Sequence, residues 1–211
     1  MNAGGQEPEL KDLSETDVGS YVAFGSYEQD NDAENGSEAI EWLVLAKEDN
    51  RLLLISKYAL ECKPYNENQT DVTWEKCTLR QWLNDEFMKE AFSSEELSLI
   101  LKTKVSADKN PTYDTDAGNP TEDCLFLLSI SEANKYFDSN TARQCEPTAY
   151  TIKQGGYKNN DGYCWWWLRS PGYASDDAAV VNYGGSVIYA GYDVDYDLYC
   201  VRPAMWINLE S

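Results

Sequence analysis

Residues 165–207 read Trp165-Trp-Trp-Leu-Arg-Ser-Pro-Gly-Tyr-Ala-Ser-Asp-Asp-Ala-Ala-Val-Val-Asn-Tyr-Gly-Gly-Ser-Val-Ile-Tyr-Ala-Gly-Tyr-Asp-Val-Asp-Tyr-Asp-Leu-Tyr-Cys-Val-Arg-Pro-Ala-Met-Trp-Ile207. Two aromatic, apolar runs, Trp165 to Ser170 and Tyr199 to Leu209, enclose a segment written in a different alphabet. Between Pro171 and Cys200 there is no Lys, Glu, Gln, Trp or Met, although these five types fill 47 of the 211 positions. Tyr, Asp, Ser, Gly and Asn take their place. Tyr gives large, amphipathic contact area at little entropic cost, and Ser, Gly and Asn give adaptable hydrogen bonding, so this alphabet suits a recognition surface. A Tyr/Gly-rich β-meander with solvated polar faces is the plainer reading of the same composition.

Within the segment, Ala178 to Asn182, Ser186 to Tyr189 and Tyr192 to Asp195 read as short strands, with Gly184-Gly185 and Ala190-Gly191 as turns. Alternation along the preceding strand puts Trp166 on the face opposite Trp165 and Trp167, and packing is the usual fate of such rings. Arg169 and Arg202, two of five arginines, stand beside these aromatics and read as buried ion-pair or carbonyl-binding residues that lock the last strands. Asp193, Asp195 and Asp197 alternate, but the Gly and terminal Glu of a calcium loop are missing. They read as a solvated or ligand-facing acidic row sharing one strand face.

Outward from this region, Val18 to Tyr27 alternates as a strand, and Ala39 to Ala46 with Arg51 to Ser56 reads as a hairpin across Glu48-Asp49-Asn50. Trp74 to Phe92 has helical spacing, with Thr78 as a candidate N-cap. Ser93 or Ser94 caps a second helix with Glu96 in its first turn. Lys104 to Thr121 reads as a long loop, Cys124 to Leu128 as a buried strand, and Ser131 as the cap of a helix from Glu132 to Phe137. Asn140 to Gly162 is irregular. These elements predict one α+β domain over residues 18–211, with antiparallel strands at both ends and helices between. Residues 1–17 predict a flexible lead-in.

Composition narrows the function. The formal net charge of −20 removes the basic patch that nucleic acid or an anionic membrane surface requires. There is no His, so Ser-His-Asp and Cys-His machinery is excluded. No phosphate loop or dinucleotide fingerprint is present. The six cysteines form no C-x-x-C, and in a chain of this length reduced core thiols are expected rather than disulfides. No apolar run is long enough to span a membrane. The opening Met1-Asn-Ala-Gly-Gly-Gln-Glu-Pro is not a signal peptide. Surface or extracellular display would need an export segment upstream; without one the chain stays in the cytoplasm.

Several segments together resemble a known family: Tyr21-Val-Ala-Phe-Gly-Ser-Tyr27, Ile40-Glu-Trp-Leu-Val-Leu45, Leu53 to Leu60 with Pro64-Tyr65-Asn66, Trp74 with Thr78-Leu-Arg-Gln-Trp-Leu-Asn84, Trp166-Trp-Leu-Arg-Ser-Pro-Gly172 and Val201-Arg-Pro-Ala-Met-Trp-Ile207. They are similar to an uncharacterised bacterial domain family that ends in a W-L-R-S-P-G … G-V-R-P-A-L-W-I frame, with Cys200 here in place of Gly and Met205 in place of Leu. The resemblance implies a C-type lectin-like fold, in the broad group of the formylglycine-generating enzymes. It also implies kinship with variable proteins of diversity-generating retroelements. There, template adenines in AAC codons are mutated, and the resulting NNC codons encode none of Lys, Glu, Gln, Trp or Met. The empty alphabet of residues 171–200 is what such a cassette leaves.

On that reading the diversified, ligand-binding positions are Tyr173, Ser175, Asp176, Asp177, Asn182, Tyr183, Ser186, Tyr189, Tyr192, Asp193, Asp195, Tyr196 and Asp197. The interleaved Val, Ala and Gly hold the backbone. Trp166, Trp167, Arg169, Arg202 and Trp206 form the fixed scaffold. The expected function is non-enzymatic binding by a monomer without cofactor or metal. A protein partner with basic or amide-rich patches fits better than a sugar, because Glu146-Pro147-Thr148 and Trp206-Ile207-Asn208 depart from the lectin calcium–carbohydrate motifs. Two alternatives stand beside it. One is an oxidoreductase of the formylglycine-generating type using Cys164 and Cys200. The other is a structural module of a surface assembly.

Overall fold

The computed structural model describes Leu13 and residues 16–209, and in it the N-terminal alternation becomes an antiparallel meander. Strands β1 (Tyr21–Tyr27), β2 (Glu38–Glu48) and β3 (Arg51–Ser56) pair in order, with Leu43 opposite Ile55 and Val44 opposite Leu54. The β2–β3 turn places Asp49 at φ 42°, a left-handed conformation that Asp tolerates. The C-terminal strand β13 (Ala204–Asn208) adds to the far edge of β3, setting Met205 against Leu54 and Ile207 against Leu52. Two short strands, β5 (Ile100–Leu101) and β8 (Leu125–Phe126), share the other edge of β13. This six-stranded sheet curls into a half-barrel.

The second sheet carries the segment quoted above. Its order is β11 (Val187–Asp193), β10 (Asp177–Val181), β9 (Trp166–Pro171), β12 (Cys200–Val201) and β4 (Glu61–Cys62). All neighbours are antiparallel except β12 and β9, which run parallel with Cys200 opposite Trp166. A small third sheet pairs β6 (Thr103–Val105) with β7 (Thr121–Asp123), at the two ends of the expected loop.

The α+β, C-type lectin-like expectation of helices between two terminal strand groups is corrected. The chain is β-rich, 33% strand against 19% helix. Strands β4 to β7 fall in the middle of the sequence, where helices and loop were expected, and β8 lies within the strand expected at Cys124 to Leu128. They are two or three residues long, too short to show any period, and most pair with the edge of another strand through backbone groups. The helices are correspondingly short: α1 (Thr78–Trp82), α2 (Met88–Ala91), α3 (Ser94–Leu99), α4 (Ile130–Tyr136), α5 (Asn140–Arg143) and α6 (Ala149–Lys153). The expected helix from Trp74 begins only at Thr78, after a turn in which Lys76 and Cys77 donate to the Thr73 carbonyl. Cys77, not Thr78, is its cap. A π-turn (Leu83–Phe87) then interrupts it. Within that turn the Asn84 side chain reaches β8, donating to the Leu125 carbonyl at 2.8 Å and accepting from the Cys124 N–H at 2.9 Å.

Ser93 caps α3 in a full capping box with Glu96. Ser129, rather than Ser131, caps α4 in a second one with Glu132. Glu132 has a further task, since its carboxylate also receives the Arg169 guanidinium, which donates to the Ser106 and Leu127 carbonyls as well. Arg202 donates to the Ser56 carbonyl at 2.9 Å and lies over the Trp166 ring. Arg169, Arg202, Trp166 and Trp167 are buried. Trp206 is half-buried with the Arg51 guanidinium 4.3 Å above its ring. The expected lead-in, residues 1–17, lies outside the described residues except for Leu13, Thr16 and Asp17; Thr16 is buried and its carbonyl accepts from Lys47.

Candidate functional site

Burial sorts the segment between Pro171 and Cys200. Ala178, Ala179, Val180 and Val181 are all buried, so both faces of β10 are covered, while β9 and β11 pair with its two edges. Strand β11 is the sheet edge and has no fully buried residue. It extends through Ala190-Gly191, where a turn was expected. Gly191 has φ +73°, and a Cβ there would collide with the Ala178 backbone, so the strand bulges instead of turning. At the other end of the hairpin, Gly185 at φ +79° lies against the Asn140 backbone with no room for a side chain.

None of the thirteen candidate positions is buried. Tyr173, Ser175, Tyr183, Tyr192, Asp193, Asp195 and Asp197 are exposed, and Asp176, Asp177, Asn182, Ser186, Tyr189 and Tyr196 are half-buried. Several of the half-buried ones hold the backbone. The Asn182 carboxamide oxygen accepts from the Gly184 and Ser186 N–H groups, both at 2.9 Å, and so shapes the hairpin turn. The Asp177 carboxylate accepts from the Ala174 N–H at 3.0 Å. Burial holds the Asp177 carboxyl above its ordinary range, aided by the Asp176 and Asp193 charges and opposed by that N–H. Tyr189 accepts from Asn134 on α4, and Ser186 accepts from Asn140.

The structure brings the remaining aromatics into one patch. After Asp193 the chain leaves the sheet in a turn, so the three aspartates do not share a strand face as the alternation predicts. The turn is pinned by buried Val194, whose N–H donates to the Asp176 carbonyl and whose carbonyl accepts from Asn66. Tyr196 therefore folds back onto Tyr192, with centroids 4.6 Å apart, and onto Tyr199 at 4.7 Å. Tyr199 stacks on Trp165, which meets Tyr183 edge-on. Trp167 touches Tyr199 from the same face, whereas Trp166 faces the Arg143 carbonyl, as alternation requires.

Between these rings lies an open cleft of about 430 Å³, lined by Tyr157, Trp165, Tyr192, Tyr196, Leu198 and Tyr199. That volume falls in the lower part of the ~300–1,000 Å³ range of ligand sites. Burial, and then the neighbouring Tyr192 and Tyr196, push the Tyr199 hydroxyl far up, so it stays protonated at any physiological pH. Sequence reasoning placed only Tyr192 and Tyr196 here. By sequence Trp165 reads with the core aromatics, Tyr199 with the closing strand, and Tyr157 with an irregular stretch. The alternation that sets Trp165 beside Trp167 was a usable signal; nothing local marks Tyr157. Tyr173 lies apart, edge-on to Tyr113, near Ser175 and Asp176.

Elsewhere the chemistry is less suited to a ligand. A cleft of about 400 Å³ beside α1 sets one cation, Lys63, against three carboxylates, Glu67, Asp85 and Glu86. Among the described residues, the trio of carboxylates close enough to share an ion is Glu28, Asp30 and Glu38 in the β1–β2 turn. Glu28 and Glu38 already accept backbone N–H groups there. Cys164 and Cys200 are adjacent and fully buried, between Cys145 and Cys62. Burial pushes the Cys164 thiol well up. For Cys200, contact with Cys164 lowers it, but contact with Cys62 and burial outweigh that. Both trends oppose thiolate formation. All six cysteines are free, and no described helix is long and apolar enough to cross a membrane.

No curated protein and no solved structure matches the chain. One family does match, over residues 49–209, a span holding β3, both frame motifs and every residue of the aromatic cleft. On that match the chain belongs to the family described as Domain of unknown function (DUF6273).

Proposed function

We propose that the protein is a non-enzymatic binding module whose ligand surface is the β10–β11 hairpin and the 194–199 turn, and that this chain is one copy of a set diversified at those positions. The observation that carries the reading is the sorting of residues within the cassette. Every candidate polar or aromatic position reaches solvent, and the interleaved Ala178, Ala179, Val180, Val181 and Val194 are buried. Exchange at the exposed positions would leave the core untouched. The alphabet supports the same conclusion, because Tyr anchors with Ser, Gly and Asp acceptors form adaptable contact surfaces. A protein partner fits the extent of this surface better than a small sugar.

Sequencing sibling copies of the gene tests the diversification. Substitutions concentrated at the exposed positions of 173–197 are expected, and substitutions spread evenly along the chain would refute it. Exchanging residues 173–197 between siblings tests the binding role. The exchange is expected to move partner choice with the segment while leaving the thermal midpoint within a few degrees.

A further inference from the structure

We propose that the aromatic cleft receives an arginine side chain presented by a basic segment of a partner protein. This deepens the binding reading above and rests on it. The cleft walls are rings, and an aromatic face carries negative quadrupolar charge that attracts a cation within about 6 Å of the centroid. Trp165, the strongest ring of this kind, stacks parallel to Tyr199 at 5.2 Å, and Tyr192 and Tyr196 close the side. No basic side chain lines the cleft.

Charge around it is mainly negative, three aspartates against Lys158, which is exposed beside Tyr157. Asp193, Asp195 and Asp197 alternate with Val194, Tyr196 and Leu198 in the turn that forms the rim. All three are exposed, and none has an ion-pair partner among the described residues. The whole chain carries −20, so a basic partner is drawn towards it over long range. Arginine suits this site better than lysine. Its planar guanidinium stacks on rings and has five donors for carboxylates and tyrosyl oxygens, whereas lysine is a compact, strongly hydrated point charge. The cleft is open to solvent, which admits a side chain on a passing backbone.

Fluorescence anisotropy with a labelled Arg-Gly repeat peptide, and its Lys-Gly and Gln-Gly counterparts, tests the proposal on the full chain. The Arg peptide is expected to bind at least tenfold tighter than the Gln peptide and measurably tighter than the Lys peptide. Tyr192→Leu should weaken it fivefold or more, and Tyr192→Phe should recover most of that loss, because the ring and not the hydroxyl supplies the attraction. Asp195→Asn with Asp197→Asn should weaken it further and flatten its salt dependence. Equal binding of the Gln peptide overturns the proposal, and so does equal loss in the Leu and Phe variants. Competition by tetramethylammonium as effective as that by the Arg peptide would assign the cleft to a small cation instead. If no peptide binds while segment exchange still switches partners, this inference fails and the wider reading stands. If segment exchange changes nothing, both fail.

Discussion

Trp165 and Tyr199 stack with centroids 5.2 Å apart and planes 5° from parallel, joining the residue just before β9 to the residue just before β12. Aromatic pairs contribute about 0.5–1.5 kcal/mol beyond their buried area. A double-mutant cycle of Trp165→Leu and Tyr199→Leu, measured by urea unfolding, should therefore return a coupling of about 1 kcal/mol. A coupling indistinguishable from zero would mean that the stack contributes only contact area.

Arg169 gives a larger expected effect. Its guanidinium joins Glu132 to the Ser106 and Leu127 carbonyls in a buried network. Removing the buried guanidinium leaves a partly exposed carboxylate and two carbonyls without their donor, which together cost about 3 kcal/mol. Arg169→Ala should lower stability by that amount. Glu132→Gln should cost less, since Gln can still serve the capping box of α4. Urea midpoints in the reverse order would contradict this division of roles.

Stability should also depend on pH through Glu61. This carboxyl is buried, and burial raises it above the ordinary range, opposed by the Cys62 N–H and the Tyr27 hydroxyl. A raised folded-state pKa means that folding favours the protonated acid. The stability so gained is full below the ordinary carboxylate range and is lost as pH rises through the folded value. Glu61→Gln removes the titration, so its stability relative to the parent should improve between pH 4 and pH 8. A pH-independent difference would show that Glu61 does not titrate as described.

Thiol accessibility divides the six cysteines. Cys62, Cys77, Cys145, Cys164 and Cys200 are buried and Cys124 is half-buried. Burial pushes the Cys77 thiol up to about 12. In the native protein Ellman's reagent should find one slowly reacting thiol, lost in Cys124→Ser, and all six should react in denaturant. Rapid native labelling of Cys164 or Cys200 would favour the oxidoreductase alternative.

The candidate positions should not be equally replaceable. Asp195 and Tyr173 are exposed, and replacing either with Ser should change stability by no more than about 0.5 kcal/mol. Asn182 satisfies two backbone N–H groups, and Asn182→Ala should cost about 1 kcal/mol or more. Thermal unfolding of the three variants checks the contrast.

These contrasts show what the sequence discloses. The β2–β3 hairpin was legible because its alternation and its Asp49-Asn50 turn are local. The outward positions of 173–197 are legible because Tyr, Asp, Ser and Asn stand apart in polarity from the small apolar Ala and Val residues that are buried between them. The cap of α4 is open to reading as well, since Ser129 and Glu132 have capping-box spacing, although Ser131 directly precedes Glu132. The two-residue strands were hidden. Nothing in Glu61-Cys62 or Ile100-Leu101 announces a strand, because their partners lie more than a hundred residues away. The cleft was only half visible for the same reason, as Tyr157 arrives from outside the cassette.

The parallel pairing of Cys200 with Trp166 has a mechanical consequence. The cassette departs from the end of β9 at Pro171 and is received again beside the start of that strand. One six-residue strand anchors both attachment points. The closure entropy of a flexible loop grows slowly, by about 0.6 kcal/mol for each doubling of its length. Insertions at the tip of the 194–199 turn should thus be absorbed with little strain on the anchors, which makes this a natural place to splice in foreign peptide loops of varied length.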